Sequence, residues 1–459
     1  MWGSHSQLTE HSYPNYFWPQ SHNWVTALKS LGVPEIYDPN AGLAAGGFYL
    51  PINVHSINQT RSDARRAYYD PSASRPNFDV LANTLATRIM FNSGNTTLNF
   101  NSTATDIQFE ARATAVEYAS GPEAPRQTAF ASKEVILAAG ALHSPQLLQL
   151  SGIGPAALLK NLSVPLVQDL IGVGNNLQDH CLIHLDYPYQ EPGLLTPYSV
   201  QHNRSLNDAC EAEYLASKTG PWTGRPSTAL AFPAFCQISD DTDTIINATR
   251  VDGRYYPDGY DATLQAGYEL QFVSTLDRLI SNDTPAYENL NNNAGGLDIS
   301  LQHPLSRGTV MIASSDPFEA PTVDPRWLMN PLDLEVMIRA IQFNQRILDT
   351  PSIQELMPTY SQVPQNATVE EITAMLRSQL STEFHYSGTC AMFPQELGGV
   401  VDSNLIVYGT QNLRVVDTSI FPLIPAAHLQ APMFAVAEKV CVFCENHQTC
   451  SSLTVTAGC

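Results

Sequence analysis

The hydrophobic and polar positions in the first third of the chain follow a pattern typical of β-strands. Short runs rich in β-branched and aromatic residues alternate with polar positions and are bounded by Gly, Pro, Asn or Ser. The predicted strands cover residues 78–81, 84–91, 96–100, 103–118 and 129–137. Gly140 and a helical pattern over 143–150 follow the last run. A buried strand, a glycine turn and a helix N-terminus together form a common way of holding a phosphate or a nucleoside.

Helical periodicity occurs in five other places along the chain. The helices predicted from it cover residues 24–31, 60–69, 332–348, 369–379 and 433–444. Between residues 181 and 381 the composition shifts toward Tyr, Asn, Asp, Thr and Pro. Strand-like runs occur there at 262–272, 296–302 and 309–313, and a short buried strand is predicted over 413–417. At this length, we expect two or three domains.

The composition is that of a globular, acidic protein. Of the 459 residues, 43% are hydrophobic and 15% are charged, and the formal net charge is −21. Because phosphate groups attract Lys and Arg, we expect no nucleic-acid partner and no anionic membrane partner. The most apolar stretch, 420–443, is interrupted by prolines, His428 and charged residues, so no membrane-spanning helix is predicted. Residues 1–10 lack the basic start and apolar core of a signal peptide.

The sequons nevertheless predict a secreted or secretory-pathway glycoprotein. Eight N-x-S/T sequons begin at Asn58, Asn95, Asn101, Asn161, Asn203, Asn247, Asn282 and Asn366. The eight cysteines are compatible with that compartment, and their pairing is left open, as is the oligomeric state. The run of Cys441, Cys444, His447 and Cys450 has no standard zinc-site spacing. No metal site is predicted, and a disulfide or free thiols are expected there.

Two histidines near the C-terminus, His385 and His428, are the candidate catalytic residues. Imidazole moves protons near neutral pH, so two histidines that meet in the fold suit general acid–base catalysis. A lone histidine in a mixed segment is more often a hydrogen-bonded structural residue. The functional interpretation therefore depends on the segments around both histidines.

Those segments carry extended motifs. They read H-Y-S-G-T-C-A-M from His385, G-G-V-V-D over 398–402, V-Y-G-T-Q-N-L-R-V-V-D-T-S over 407–419 and P-A-A-H ending at His428. Far upstream lie G-A-L-H-S-P-Q-L-L-Q-L-S-G-I-G-P over 140–155 and G-V-G-N-N-L-Q-D-H over 172–180. Together these segments resemble the signatures of the glucose–methanol–choline (GMC) family of flavin oxidoreductases.

The resemblance implies an α/β (α+β) fold, with a doubly wound FAD-binding domain and a substrate domain built on a large antiparallel sheet. The implied boundaries are a partial N-terminal segment at 1–59, parts of the FAD-binding domain at 60–180 and 382–445, the substrate domain at 181–381 and a tail at 446–459. The cofactor implied is FAD, which accepts hydride from a small-molecule alcohol or sugar, with oxygen or a quinone as electron acceptor. Substrate identity and the choice between oxidase and dehydrogenase are left open.

The resemblance also implies roles for individual residues. His385 is expected to take the alcohol proton while hydride passes to the flavin N5 atom, and His428 to orient and polarise the substrate oxygen. The expected cofactor contacts are Asp417, Thr418, Leu429 and Gln430 near the flavin ring, and Ala86 and Gly140 near the adenosine half.

Some polar residues near the motifs are given structural interpretations instead. His180 and Glu383 are expected to be structural or supporting residues. Arg414, within an apolar strand, is expected to form an ion pair, and Cys390 to fill core space. For Asp417 the alternative to a cofactor contact is a helix or turn cap.

The phosphate-binding unit with which this family fold begins is not found in the sequence. In such folds a G-x-G-x-x-G loop between a strand and a helix holds the FAD pyrophosphate. We therefore expect an incomplete FAD-binding domain and weak FAD binding by the isolated chain. Two alternatives stay open, namely a non-redox cyclase of secondary metabolism with the same fold and a truncated, inactive glycoprotein remnant. A serine hydrolase is disfavoured because no G-x-S-x-G elbow occurs.

Overall fold

The computed structural model describes residues 11–43, 45–92, 111–360, 362–446 and 455–456. Its helices in chain order are α1 (Gln20–Ser30), α2 (Asp70–Ser72), α3 (Gly140–Leu150), α4 (Ala156–Asn161), α5 (Pro197–His202), α6 (Arg204–Ser217), α7 (Phe235–Ile238), α8 (Thr242–Asp252), α9 (Ala262–Leu279), α10 (Pro331–Leu348), α11 (Pro351–Gln354), α12 (Val369–Gln379) and α13 (Gln430–Asn446). Short 3₁₀ turns cover Pro221–Thr223, Gln395–Leu397 and Thr418–Ile420, and a π-helical turn covers Arg65–Tyr69.

The strands of the described residues are short. In chain order they are β1 (Gly47–Tyr49), β2 (Leu85–Asn92), β3 (Ala111–Ala119), β4 (Gln127–Phe130), β5 (Val135–Leu137), β6 (Ile153–Gly154), β7 (Gln168–Asp169), β8 (Cys181–Ile183), β9 (Ala229–Ala231), β10 (Tyr287–Asn291), β11 (Leu297–Leu301), β12 (Thr309–Met311), β13 (Thr322–Asp324), β14 (Ser381–Thr382), β15 (Thr410–Gln411), β16 (Leu413–Val415) and β17 (Val455–Thr456).

A six-stranded antiparallel sheet supports the larger hydrophobic core. Its strand order is β1-β9-β10-β11-β8-β14. Helices α1, α9 and α10 contribute to the same buried cluster, in which Trp24, Phe272 and Ile341 are fully buried. The large antiparallel sheet predicted from the resemblance is confirmed. Because β1 belongs to residues 1–59, the N-terminal segment is part of this sheet, while the predicted domain boundaries stay a prediction.

A second core surrounds two smaller sheets. Strand β5 pairs in parallel with β16 and β17, and β3 pairs with β2, β4 and β15. Helix α3 follows β5 after a turn in which Gly140 adopts φ +78°, a conformation that glycine tolerates best. Leu137, Leu148 and Leu413 are buried between these elements. The strand, turn and helix predicted around Gly140 and the mixed α/β class are thereby confirmed.

Two predicted strands are wrong. Residues 262–272 form most of α9, because the Asp261 side chain caps the helix by accepting the Leu264 N–H at 2.9 Å. Leu264, Tyr268 and Phe272 recur every fourth residue and are all buried, which is the spacing of one helix face. Residues 78–81 form no strand; Val80 and Leu81 are exposed, and Phe78 is half-buried.

The other predicted elements within the described residues are present, most of them with shifted ends, and the helix predicted over 369–379 has the predicted ends. Residues 129–137 divide into β4 and β5, and 60–69 form only the π-helical turn and the residues before it. The predicted strand at 96–100, the first part of 103–118, and the sequons at Asn95 and Asn101 lie outside the described residues. None of the helices in the described ranges has the length and apolar composition needed to cross a lipid bilayer.

Candidate active site

Two motif segments that are far apart in sequence run side by side and support the site. Gln178 and Ser387 exchange both backbone hydrogen bonds, at 3.0 and 2.9 Å, which joins segment 172–180 to segment 385–392. Gly388 has φ +89°, and a Cβ added there would lie 2.5 Å from a backbone carbonyl oxygen of the first segment. Only glycine allows this close approach without distortion.

The two histidines predicted to be catalytic lie next to each other. His385 follows β14, and its backbone N–H donates to a carboxylate oxygen of Asp179 at 3.1 Å. His428 lies just before α13. Their ring centroids are 5.5 Å apart, with the ring planes inclined at 47°. The His385 side chain is 16% exposed and that of His428 is 41% exposed, so His428 is the more open of the two.

Two carboxylates contact this histidine pair. Glu288 on β10 is fully buried, and one of its oxygens lies 2.9 Å from Nε2 of His428. Glu383 follows β14, with one carboxylate oxygen 3.5 Å from Nδ1 of His385 and the other 3.7 Å from Nε2 of His428. The hydroxyl group of Ser300 on β11 donates to Glu383 at 2.5 Å. Both carboxylates therefore reach the site from the antiparallel sheet or the loop beside it.

A third histidine, His180, completes the cluster. Its side chain is fully buried, and its Nδ1 lies 2.9 Å from Nδ1 of His385 and 3.9 Å from Glu383. The rings of His180 and His385 meet edge to face at 84°. His180 and Glu383 were expected to be structural or supporting residues, and the structure places both in direct contact with the predicted pair. Their positions inside and beside the two motifs are the signal that could have drawn attention to them.

Burial and charge favour different protonation states within the cluster. The charge of Glu288 raises the pKa of His428 to about 9, although burial opposes it. Burial lowers the pKa of His180 to about 3 and raises the pKa of Glu288 to about 7. Burial alone would raise the pKa of Glu383. The hydrogen bond and charge of His385, together with the charges of the other two histidines, outweigh burial and lower that pKa. Near neutral pH, His428 is thus cationic, Glu383 anionic and His180 neutral.

The same side chains include two groups of possible metal ligands. His180, Glu383 and His385 form one group, and Glu288, Glu383 and His428 form the other, with the ligand atoms of each group within 4.8 Å of one another. Hydrogen bonds and ion pairs between the rings and carboxylates already engage these atoms. We therefore assign no metal to either group.

A cavity of about 650 Å³ opens beside His428. The sheet strands β1 and β9 and the residue after β9 give it an apolar wall that includes Phe48, Leu230 and Phe232. The ring of Phe232 lies 6.4 Å from that of His428. Arg225 and the start of α13 line other parts of the cavity. Its volume is that of a small-molecule site.

Apart from Ala86, the residues predicted to contact a cofactor fall into two groups. The first lies around α3, where a carboxylate oxygen of Asp417 accepts the Gly140 N–H at 3.0 Å and the Ser144 hydroxyl at 2.5 Å. Its other oxygen accepts the N–H of Ser419 at 2.8 Å and caps the 3₁₀ turn that begins at Thr418. The side chain of Asp417 therefore acts as the cap that was considered as its alternative role.

The second group lies at the start of α13. Leu429 is buried, and its carbonyl accepts the N–H of Met433 at 3.0 Å. Gln430 lines the cavity and accepts a hydrogen bond from the Asn53 side chain. Ala86 lies instead on β2, packed against the second core. The structure thus places two predicted contacts, Leu429 and Gln430, directly beside His428.

Comparison with known proteins identifies the family. Sequence models of the two GMC oxidoreductase domains match residues 7–182 and 304–437. A dehydrogenase from Emericella nidulans, xptC, is 33% identical over 95% of this chain and 68% of its own length. The chain belongs to the GMC oxidoreductase family.

Two solved structures of oxidoreductases share the fold. An FAD-dependent oxidoreductase from Chaetomium thermophilum superposes with a TM-score of 0.89 at 33% identity, covering 96% of this chain and 74% of that one. A fungal aryl-alcohol oxidase gives 0.87 at 30% identity, covering 97% and 74%. This chain spans between 58 and 68% of the length of the curated relatives compared with it.

FAD is the cofactor of the GMC family, and the residues beside the cavity fit its flavin ring. Helix α13 has 17 residues and begins at the cavity. The first backbone amides of a helix have no acceptor within it, and the positive end of its dipole favours the electronegative edge of a ring. The cationic His428 adds to that positive field. The wall of Phe48, Leu230 and Phe232 suits a flat, apolar group.

Proposed function

We propose that this GMC chain oxidises the CH–OH group of a small-molecule alcohol, with His385 as general base and His428 as its partner. When bound, FAD supplies the hydride acceptor. The observation that carries the proposal is the 5.5 Å separation of the two imidazole rings, one of which lines a cavity of about 650 Å³. This geometry supports proton transfer and orientation at a single hydroxyl group.

His385 takes the hydroxyl proton through Nε2. Its Nδ1 faces His180 and Glu383, whereas Nε2 has no hydrogen-bond partner among the residues that the structure describes. A neutral ring with its lone pair on Nε2 can accept a proton while the C–H bond breaks. The positive charge that forms on the ring is stabilised by the Glu383 carboxylate at 3.5 Å.

His428 orients and polarises the substrate oxygen. Its Nε2 is held by Glu288, which leaves Nδ1–H of the imidazolium to donate to that oxygen. A charged donor fixed before the reaction begins stabilises the negative charge that develops as the hydroxyl proton leaves. The substrate loses one proton to His385 and one hydride, and it leaves as a carbonyl compound.

The remaining predicted residues would hold FAD. Leu429 and Gln430 would lie beside the flavin ring, together with Asp417 and Thr418, while Ala86 and Gly140 would approach the adenosine half. Because the Asp417 carboxylate is already engaged by Gly140 and Ser144, the contacts made by this group come mainly from the backbone.

The apolar cavity wall favours binding of alcohols with an apolar or aromatic body over binding of polyhydroxylated sugars. Phe48, Leu230 and Phe232 offer no hydrogen bonds, and a sugar would leave several hydroxyl groups without partners against them. Likeness to an aryl-alcohol oxidase supports the same class of substrate. We propose oxygen or a quinone as the acceptor that reoxidises the flavin.

The sequons support a route through the secretory pathway. All six sequon asparagines within the described ranges are exposed, as glycosylation requires, namely Asn58, Asn161, Asn203, Asn247, Asn282 and Asn366. Enzymatic deglycosylation of protein from a eukaryotic host should lower its apparent mass. Protein of the same mass before and after treatment would contradict this part of the proposal.

An acceptor-reduction assay tests the function. The FAD-loaded protein is mixed with an artificial electron acceptor and a series of aliphatic, benzylic and sugar alcohols. We expect reduction of the dye with benzylic or apolar alcohols and formation of the matching aldehyde or ketone. A protein that converts a substrate while the dye stays oxidised would be a non-redox member of the fold, and the proposal would be wrong.

A further inference from the structure

One carboxylate contacts all three histidines of the site. The Glu383 oxygens lie 3.5 Å from His385 Nδ1, 3.7 Å from His428 Nε2 and 3.9 Å from His180 Nδ1. Its side chain is only 11% exposed. A charge that lies so close to three imidazoles, and is this well shielded from water, acts on the protonation of each ring.

The carboxylate is fixed in place by its neighbours. The Ser300 hydroxyl donates to it at 2.5 Å, and the Glu383 backbone N–H donates to the His180 carbonyl at 3.1 Å. Ser300 lies on β11 and His180 directly precedes β8, which pairs with β11. Glu383 is thus held between the antiparallel sheet and the segment that carries His385.

This placement selects one tautomer of His385. The Nδ1 atoms of His180 and His385 are 2.9 Å apart, so one of them must carry the proton that the other accepts. The carboxylate lies closer to Nδ1 of His385 than to Nδ1 of His180, and it therefore favours the proton on His385. With Nδ1 protonated, the lone pair of His385 is on Nε2, the nitrogen that the proposed reaction uses.

The same charge acts on His428. The other oxygen of Glu383 faces Nε2 of His428, the nitrogen that also contacts Glu288. Removing the negative charge would make protonation of either imidazole less favourable. Other titratable or charged groups facing the cluster are Asp179 and His180 from segment 172–180, Glu288 from β10, His303, and Arg225 from the cavity wall.

We propose that Glu383 is a positioning residue that holds His385 as the Nδ1–H tautomer and His428 as the imidazolium, so that one ring is a base and the other a donor. This inference rests on the proposed function for its catalytic meaning, but the tautomer itself can be measured without it. His180 takes part as the neutral acceptor of the His385 proton, because its full burial disfavours a charge.

Glu383→Gln tests the proposal in the FAD-loaded protein, because the substitution keeps the shape and removes the charge. We expect kcat to fall about 10- to 1,000-fold, less than the ~10⁴-fold loss seen where a catalytic histidine loses its only carboxylate partner. The alkaline limb of the pH profile of kcat/KM, which reports His428, should move to lower pH by about one unit, since an opposite charge at this distance favours the protonated ring. The matched control is Glu335→Gln on α10, whose partner is Arg339 at 2.8 Å, and its profile should be unchanged.

Nitrogen-15 spectra of the histidine rings provide a second readout that needs no substrate. In the wild-type protein at neutral pH we expect His385 to carry its proton on Nδ1, and His428 to be protonated on both nitrogens. In Glu383→Gln a population of His385 with the proton on Nε2 should appear. Should the variant fail to fold, the wild-type spectrum alone still shows which nitrogen of His385 carries the proton.

The outcomes separate the two proposals. A wild-type His385 ring that carries its proton on Nε2, or a Glu383→Gln profile that superposes on that of the wild type, would overturn the positioning role. Expected spectra in a protein that oxidises no alcohol would support the positioning role and would contradict only the proposed function.

Discussion

The Nδ1 atoms of His180 and His385 lie 2.9 Å apart, and their rings meet edge to face at 84°. One nitrogen of the proposed base is therefore engaged by a buried neutral ring, and the other is left for a substrate. This contact joins two GMC motifs, segment 172–180 and segment 385–392, whose histidines are 205 positions apart in the sequence. The site thus depends on the register between them.

Removal of the proposed base, His385, should abolish most of the alcohol oxidation activity while the protein stays folded. For His385→Ala we expect kcat/KM for alcohol oxidation to fall by about 10²- to 10⁴-fold, the usual contribution of a general base. Steady-state kinetics with a benzylic alcohol measure this loss. The control is His22→Ala on α1, where the side chain is exposed, and its rate should equal that of the wild type. Equal rates for His385→Ala and the wild type would exclude His385 as the base.

The alkaline limb of the pH profile should report His428. Its pKa is raised to about 9, chiefly by the charge of Glu288, so activity that needs the imidazolium is present below that pH and is lost above it. His428→Asn keeps a hydrogen-bond donor that does not titrate. We expect this variant to be slower and its profile to be flat through pH 9, as judged by kcat/KM across the alkaline range.

Glu288→Gln should move the alkaline limb of the pH profile of kcat/KM to lower pH. The substitution removes the main cause of the raised His428 pKa, so the alkaline limb should move from about 9 toward the ordinary histidine value near 6.5. An alkaline limb that stays near its wild-type position would show that Glu288 does not control His428.

The motifs predicted the family, the cofactor and the two histidines, but they could not reveal the buried carboxylate of Glu288. Glu288 lies on β10, whose sequence Y-E-N-L-N shows no alternation of apolar and polar residues. Asn289 and Asn291 are as fully buried as Glu288, and their side-chain amides donate hydrogen bonds to Asn344 and Asn293 inside the core. A strand with polar buried positions gives no periodic signal.

Helix α9 shows the opposite error. Its first half contains apolar and aromatic residues in a short run that is compatible with a strand. Packing of Leu264, Tyr268 and Phe272 against the larger core decides in favour of a helix, and this tertiary contact is not visible in a short sequence window. The role of Glu383 is likewise not visible in the sequence, since its three histidine partners are brought together only by the fold.

The buried neutral ring of His180 should make the protein sensitive to acid. Its pKa is lowered to about 3 by burial, whereas an unfolded histidine takes up a proton near pH 6.5. Its contribution to stability is therefore fully present above about pH 6.5 and is lost as the pH falls toward 3, which amounts to about 2 kcal/mol at pH 5. Urea unfolding at pH 7 and pH 5 measures the loss. His180→Gln should show a smaller difference between the two pH values, and an equal difference would contradict this account.

Asp417 should be needed for the connection between α3 and the 3₁₀ turn at Thr418–Ile420. Asp417→Ala removes the acceptor of two backbone amides and the Ser144 hydroxyl, and we expect it to destabilise the fold by about 2–3 kcal/mol. Asp417→Asn keeps one acceptor oxygen and should lose less. Thermal unfolding compares the two variants, and equal stability of Asp417→Ala and the wild type would show that these contacts contribute little.

Rapid mixing of the FAD-loaded protein with a benzylic alcohol in the absence of oxygen tests the central claim most directly. We predict that the visible flavin absorption band bleaches, that deuterium at the carbinol carbon slows the bleaching, and that His385→Ala nearly abolishes it. A flavin band that stays oxidised while the wild-type protein converts its substrate would contradict hydride transfer at this site.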